Sequence, residues 1–371
     1  MAGQRQFHAP ESNGSRALHQ RQTNHYNLRG CRKLWLLILT ALFLFSALPA
    51  TAQEKILLVG AGSTVPLPLY NKWAQDFNKA GRGVQMQYQA LGTSEGIKLI
   101  YGSQDELGKT DFSAGEVMLT EKERQDGNLL ELPVVMIAIV PFYNLPNVPD
   151  LKFSGELLAQ IFMGHIKTWN APQIARLNPG VTLPNMPIKV VYRPGGKGSN
   201  YVLSDFLSKT SPEFRAQIGR SPSPKWPVGE PAERSSDMVD KVRGEAGAIG
   251  YVELQYALNS GLPIGLVQNA SGKFVKASDS SIDAACKAVE APDWGKFTAP
   301  LTNAPGADSF PITSFSWLYL RAASPASKRR AALLTLLNWI YTDGQGLAAA
   351  QGYSELPPQL RDKVLAKISS L

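Results

Sequence analysis

The feature that most limits what this chain can become is a strand that breaks into glycine and restarts as a helix, between Ile188 and Phe206. The β-branched and aromatic run Ile188–Tyr192 predicts a buried strand. Arg193 then opens a loop, Pro194-Gly195-Gly196-Lys197-Gly198-Ser199. Ser199 or Asn200 is the expected N-cap of a helix that turns Tyr201, Leu203, Phe206 and Leu207 inward. Such a junction gathers unpaired backbone N–H groups at one point. Those donors, the helix dipole and the two cations Arg193 and Lys197 together describe an anion site. The loop is not a Walker P-loop, because Gly198 and Val191 stand where that motif needs Ser or Thr and its first glycine. Taken alone, it reads equally well as a glycine turn that only redirects the chain.

The arrangement recurs, and the repetition gives it weight. Ile56–Val59 is a predicted strand, Gly60-Ala61-Gly62-Ser63-Thr64 a tight loop, and Pro66 and Pro68 suit a first helical turn before Leu69, Tyr70, Trp73 and Phe77. A dinucleotide fingerprint fails here, since Val65 occupies the place of the third glycine. Val84–Tyr88 is a second strand, followed by Gly92-Thr93-Ser94-Glu95-Gly96 and a helix over Ile97–Tyr101. The same five residues spell Gly-x-Ser-x-Gly, the nucleophile elbow of α/β-hydrolases. A hydrolase built on Ser94 needs a histidine base, and His165, expected in a surface turn after a helix, is the one downstream. The stretch Asp105–Asp111 is read as a short strand that delivers Asp111 to its end. A carboxylate there repels a bare anion but accepts a hydrogen bond from a ligand that still carries a proton. The competing reading is a capping or surface aspartate paired with a lysine.

Composition narrows the classes. The first 52 residues carry six Lys/Arg against one Glu, then an uncharged, mostly apolar run from Leu34 to Leu48, then Ala50-Thr51-Ala52. This is the pattern of a secretory signal peptide cleaved after Ala52. The run is shorter than the roughly 20 residues a membrane span needs. A free periplasmic or secreted protein is therefore expected. Of the formal charge of +8, that segment supplies +5, leaving about +3 for the rest. So mild a balance, without a Lys/Arg stripe among aromatics, argues against nucleic acid. Beyond Ala52 only Cys286 and His165 remain of their kinds. An internal disulfide is thereby excluded, and Cys- or His-based metal sites, cofactors and catalysis are disfavoured.

The 319 residues after Ala52 have room for two domains. The run Leu132–Tyr143 is too long for one ordinary strand and is read as a crossing from the first domain to the second. Helices are predicted at 154–163, 174–177, 199–209, 238–244 and 282–289, with a strand at 247–252. Phe310–Leu320 is read as the return crossing, with helices at 331–341 and 360–368 packing back on the first domain.

Several runs together resemble the periplasmic phosphate-binding proteins of bacterial ABC uptake systems. They are Gly60–Thr64 with Pro66, Pro68, Tyr70, Lys72 and Trp73; Gly92-Thr93-Ser94; Lys167–Asn170 with Leu177–Gly180; Lys225-Trp226-Pro227; Gly247–Glu253; and Pro311–Ser314. The resemblance covers most of 56–358. It implies an α/β, two-lobed type II periplasmic binding fold, each lobe a mixed sheet flanked by helices, joined by two crossing segments. The lobes are expected at 53–137 with 315–371, and at 138–314, with hinges about 134–142 and 310–320. It further implies a monomer that binds inorganic phosphate without cofactor or catalysis and delivers it to an ABC permease. Carried over by position, the site falls on Thr64, Val65, Thr93, Asp111 as proton acceptor, Arg193, and Lys197, Gly198 and Ser199 as third-loop donors. Replacing Arg193 or Asp111 is expected to weaken binding tenfold or more.

Four positions depart from the family pattern. Val65 replaces a usual phenylalanine and Thr93 a usual serine. Gly195 stands for an aspartate and Lys197 for a serine, so this loop is more positive by two charges. The preference among phosphate, phosphonate and phosphate ester is what these changes put in question. A Ser94 hydrolase and a secreted adhesion protein are the other classes weighed.

Overall fold

Three successive strand–turn–helix units lay down the first half of the molecule. β1 (Ile56–Gly62) leads to α1 (Leu67–Lys79), β2 (Val84–Gln89) to α2 (Thr93–Tyr101), and β3 (Phe112–Gly115) to α3 (Glu121–Asp126). The structure, a computed structural model, describes residues 55–102, 110–148, 150–289, 297, 299–322 and 326–371. The signal peptide, its cleavage at Ala52 and the stretch Asp105–Lys109 lie outside the described residues. β1 pairs in parallel with β2 on one side and β3 on the other. The carboxyl ends of these strands and the starts of α1 and α2 therefore share one edge, the usual ligand edge of an open α/β sheet.

β4 (Leu129–Tyr143) follows. The second half then contains β5 (Lys152–Phe153), α4 (Gly155–Phe162), α5 (Pro172–Leu177), β6 (Lys189–Tyr192), α6 (Gly198–Thr210), α7 (Pro212–Gln217) and β7 (Glu230–Pro231). It continues with α8 (Ser235–Gly244), β8 (Ala248–Glu253), α9 (Leu254–Ser260), β9 (Leu266–Gln268), β10 (Phe274–Val275) and α10 (Asp279–Ala288). The chain closes with β11 (Thr313–Arg321), α11 (Lys328–Tyr341), α12 (Asp343–Ala350) and α13 (Pro358–Ser369).

Eight strands form one sheet in the order β2-β1-β3-β11-β4-β8-β6-β7, and β10-β9-β5 form a second. The large sheet is continuous because β4, buried along almost its whole length, changes partner midway. Leu129 to Ala138 lie against β11, and Ile139 to Tyr143 lie against β8. A register shift opposite Ser316 and Trp317 falls beside Pro133, which has no N–H to give the ladder. β11 differs from the expected return crossing. Among the described residues it pairs only with β3 and the first part of β4, so Thr313–Arg321 belongs to the first half. Its apolar run reflects burial on both faces, which a length argument cannot distinguish from a crossing.

The apolar face predicted for α1 is fully buried at Leu69, Tyr70, Trp73 and Phe77. The C-terminal helices close over this half. Trp73 Nε1 donates to Gly344 O (2.7 Å), Tyr341 Oη to Pro133 O (2.9 Å), and Gln345 Nε2 to Val134 O (2.9 Å).

Candidate anion-binding site

The C-terminal end of β3 delivers Glu116, which is wholly buried. Ser63 Oγ, just past β1, donates to its carboxylate at 2.8 Å, Thr93 Oγ1 at the start of α2 at 3.0 Å, and Ser316 Oγ of β11 at 2.9 Å. Burial raises the Glu116 carboxyl to about 7. Hydrogen bonds from Ser63, Ser316 and Thr93 oppose the rise, and the nearby Glu253 carboxyl adds to it.

From the second half comes Arg193, at the end of β6 and only 1% exposed. Its Nη2 donates to Thr64 Oγ1 (3.1 Å) across to the first half, and its Nη1 to Ser235 Oγ (3.2 Å). Its Nε has no acceptor, and among the described residues Arg193 makes no ion pair. The hydroxyl of Ser199, equally buried, also lacks a partner. Glu253, at the end of β8, is buried with both carboxylate oxygens unbonded; burial raises its pKa, and Arg193 partly offsets that.

The loop before α6 is held by Asn200, which does not cap the helix. Asn200 Nδ2 donates to the carbonyls of Arg193 (3.1 Å), Pro194 (2.8 Å) and Pro222 (3.1 Å), and its Oδ1 accepts from the Tyr251 hydroxyl. The N-cap is Lys197, with no side-chain cap bond. The sequence expectation of Ser199 or Asn200 as cap is thus corrected: the loop carbonyls compete for Asn200, and the helix starts one residue before Ser199. The first-turn amides of α6 keep no intrahelical acceptor. They abut Glu116 so closely that a Cβ on Gly198 would lie 1.7 Å from Glu116 Oε2 and 2.8 Å from Thr93 Oγ1. A backbone bond, Ser94 N to Gly196 O (3.1 Å), also joins the two halves here.

Of the residues singled out from sequence, Thr64, Thr93, Arg193, Gly198 and Ser199 are brought together. Val65 adjoins them, buried, with its N–H donating to Ser63 Oγ (3.0 Å). The Lys197 amide is turned to Pro222 O (3.2 Å), so only its side chain faces the junction. Asp111 is not at this edge. It precedes β3, where its carboxylate takes Arg329 Nε (2.5 Å), Arg329 Nη2 (2.7 Å) and the Val59 amide (2.7 Å). Strand direction is the reason: β3 runs parallel to β1, with Asp111 just before its start and Glu116 just past its end, on opposite edges of the sheet. Sequence reasoning missed Glu116, Ser63, Ser235, Glu253 and Ser316. The signal for Glu116 was present, since Phe112-Ser113-Ala114-Gly115 is a short run of apolar and small residues with an acid directly after it.

Among the described residues Ser94 has no hydrogen bond to a histidine. His165, just past α4, has its Nδ1 3.7 Å from Glu213 and its side chain 45% exposed.

A family model described as the PBP superfamily domain matches residues 49–344. A phosphate-binding protein PstS of Xylella fastidiosa (strain 9a5c) is 33% identical over 321 residues, covering 86% of each chain. One of Haemophilus influenzae is 34% identical over 303 residues, 81% of this chain and 89% of that one. Among solved structures, a high-affinity periplasmic phosphate-binding protein, PfluDING, bound with phosphate, shares the fold with a TM-score of 0.66 at 17% identity, over 83% of this chain and 93% of that one. The convergence of helix starts, hydroxyls and a buried arginine at one sheet edge is thus accompanied by likeness along most of the chain, and the protein belongs to the PBP superfamily, in the family of its PstS relatives.

Proposed function

We propose that this protein binds inorganic phosphate at the junction of its two sheet halves, without turnover, and delivers it to an ABC permease from the periplasm. The observation that carries the reading is Arg193. A buried guanidinium with no ion pair costs several kcal/mol unless an anion joins it. Its free Nε, the free Ser199 hydroxyl and the first-turn amides of α6 supply the donors such an anion needs. The Thr64 hydroxyl, which accepts from Arg193 and keeps its own proton, adds a donor from the first half, and Thr93, whose hydroxyl donates to Glu116, holds that carboxylate at the same edge.

Glu116 supplies the discrimination. When ionised it repels a bare oxyanion but accepts from one that keeps an O–H. Because its own carboxyl titrates near neutrality, one proton shared between it and the ligand satisfies both at about pH 7. Sulfate carries no such proton and competes only when Glu116 is itself protonated, so preference for phosphate is expected to sharpen as pH rises.

The names of the curated relatives and the phosphate-bound neighbour support this reading. Among the described residues no helix is long and apolar enough to cross a membrane. Lobes at 53–137 with 315–371 and at 138–314, flexing where β4 changes partner, provide opening and closure in a single chain. Calorimetry of the purified protein with phosphate, sulfate, arsenate and a phosphonate is the test. Arg193→Ala is expected to weaken phosphate at least tenfold, in line with roughly 2–5 kcal/mol for truncating one member of a buried charge pair. An unchanged affinity would remove Arg193 from the site.

A further inference from the structure

We propose that the Lys197 side chain selects a doubly charged oxyanion by placing a second cation over the site, an assignment that rests on the phosphate reading above. Lys197 is the N-cap of α6, yet its side chain does not run into solvent and is only 12% exposed. It crosses from the second half toward the start of α2. There Nζ and Cδ both lie 3.6 Å from the place a Cβ would take on Gly92, the residue before Thr93. Gly92 has φ +107°, a backbone that admits glycine readily, and this leaves the space through which the lysine passes.

Among the described residues the ammonium is only weakly paired where it sits. Its one acidic neighbour among the described ion pairs is Glu233, at 3.6 Å and 70% exposed, where solvent weakens the pair. Glu95 on α2 is paired instead with Lys98 (3.2 Å). Arg193 offsets only one negative charge, and Glu116 and the buried Glu253 beside Arg193 each bring one of their own when ionised. A dianion therefore leaves an excess of negative charge unless Lys197 contributes. Partial burial strengthens that contribution relative to a solvated lysine.

The test is inorganic phosphate affinity of wild type, Lys197→Met and Lys197→Arg at about pH 5.5, where the monoanion prevails, and at about pH 8.5, where the dianion does. Methionine keeps most of the stem and removes the charge. Glu116 and Glu253 titrate in all three proteins, and Lys197→Arg, which keeps the cation, controls for any shift in their titration. Lys197→Met is expected to lose about tenfold more affinity at the alkaline pH than at the acid one, and Lys197→Arg to restore it. Equal losses at both pH values, or none, would overturn the assignment and leave the phosphate reading standing. A wild type that binds no phosphate at either pH would overturn that reading instead.

Discussion

Two carboxylates five positions apart, Asp111 and Glu116, have opposite roles because they stand at opposite ends of β3. Asp111 holds Arg329 and the Val59 amide, while Glu116 meets three hydroxyls and a helix start. Burial of two glutamates also makes stability depend on pH. Glu116 is raised from an ordinary 4.5 to about 7, and Glu131, buried beside Arg124, is raised to about 8. A carboxyl raised on folding adds stability that is complete below its unfolded value and lost as pH climbs through the folded one. In phosphate-free buffer the melting temperature is therefore expected to decline from about pH 4.5 toward pH 8. Glu116→Gln should make the decline shallower between about pH 4.5 and pH 7, where Glu131 still contributes, and leave it unchanged above about pH 7. Melting curves across that range with the same slope in both proteins would contradict this account of Glu116.

Helix starts, more than side chains, give the site its shape. α1, α2 and α6 each follow a strand and a glycine-containing turn, and each was visible in the spacing of apolar residues. Their first residues were less legible. α2 starts at Thr93, four residues before the apolar pattern declares itself, and α6 starts at Gly198. First turns are bounded by hydrogen bonds that the apolar period does not encode. Gly198 shows what such a start demands. An added methyl would meet Glu116 at 1.7 Å and Thr93 at 2.8 Å, so Gly198→Ala must push α6 from Glu116 or displace the carboxylate. Alanine is otherwise welcome in a helix. Phosphate affinity is expected to fall at least tenfold while the denaturant midpoint moves little. Calorimetry paired with urea unfolding checks both, and retained affinity would mean the junction is looser than described.

Over the whole molecule, stability and binding separate in space. The sheet is continuous through β4, and the C-terminal helices return to cover the first half, tying Trp73, Pro133 and Val134 to the last 31 residues. The Asp111–Arg329 pair is part of that cover, fastening the start of β3 to α11. With Asp111 6% exposed and also holding the Val59 amide, Asp111→Ala is expected to cost roughly 1–3 kcal/mol in urea unfolding. Phosphate affinity should stay within about twofold, since ΔΔG values at well-separated sites carry little coupling. A large loss of affinity with unchanged stability would return Asp111 to the site.

The α/β class, the alternation of strands with glycine-opened helices, the buried run at β4 and the place of Arg193 at a strand–glycine–helix junction all follow from the sequence alone, because periodicity and turn chemistry are local. Which acid meets the helix starts, whether Lys197 points outward or across the junction, and where Ser235, Ser316 and Glu253 lie were settled only by the fold. Those answers depend on strand direction and on pairings between residues up to 200 positions apart, such as Ser316 with Glu116. A linear pattern carries no record of such contacts.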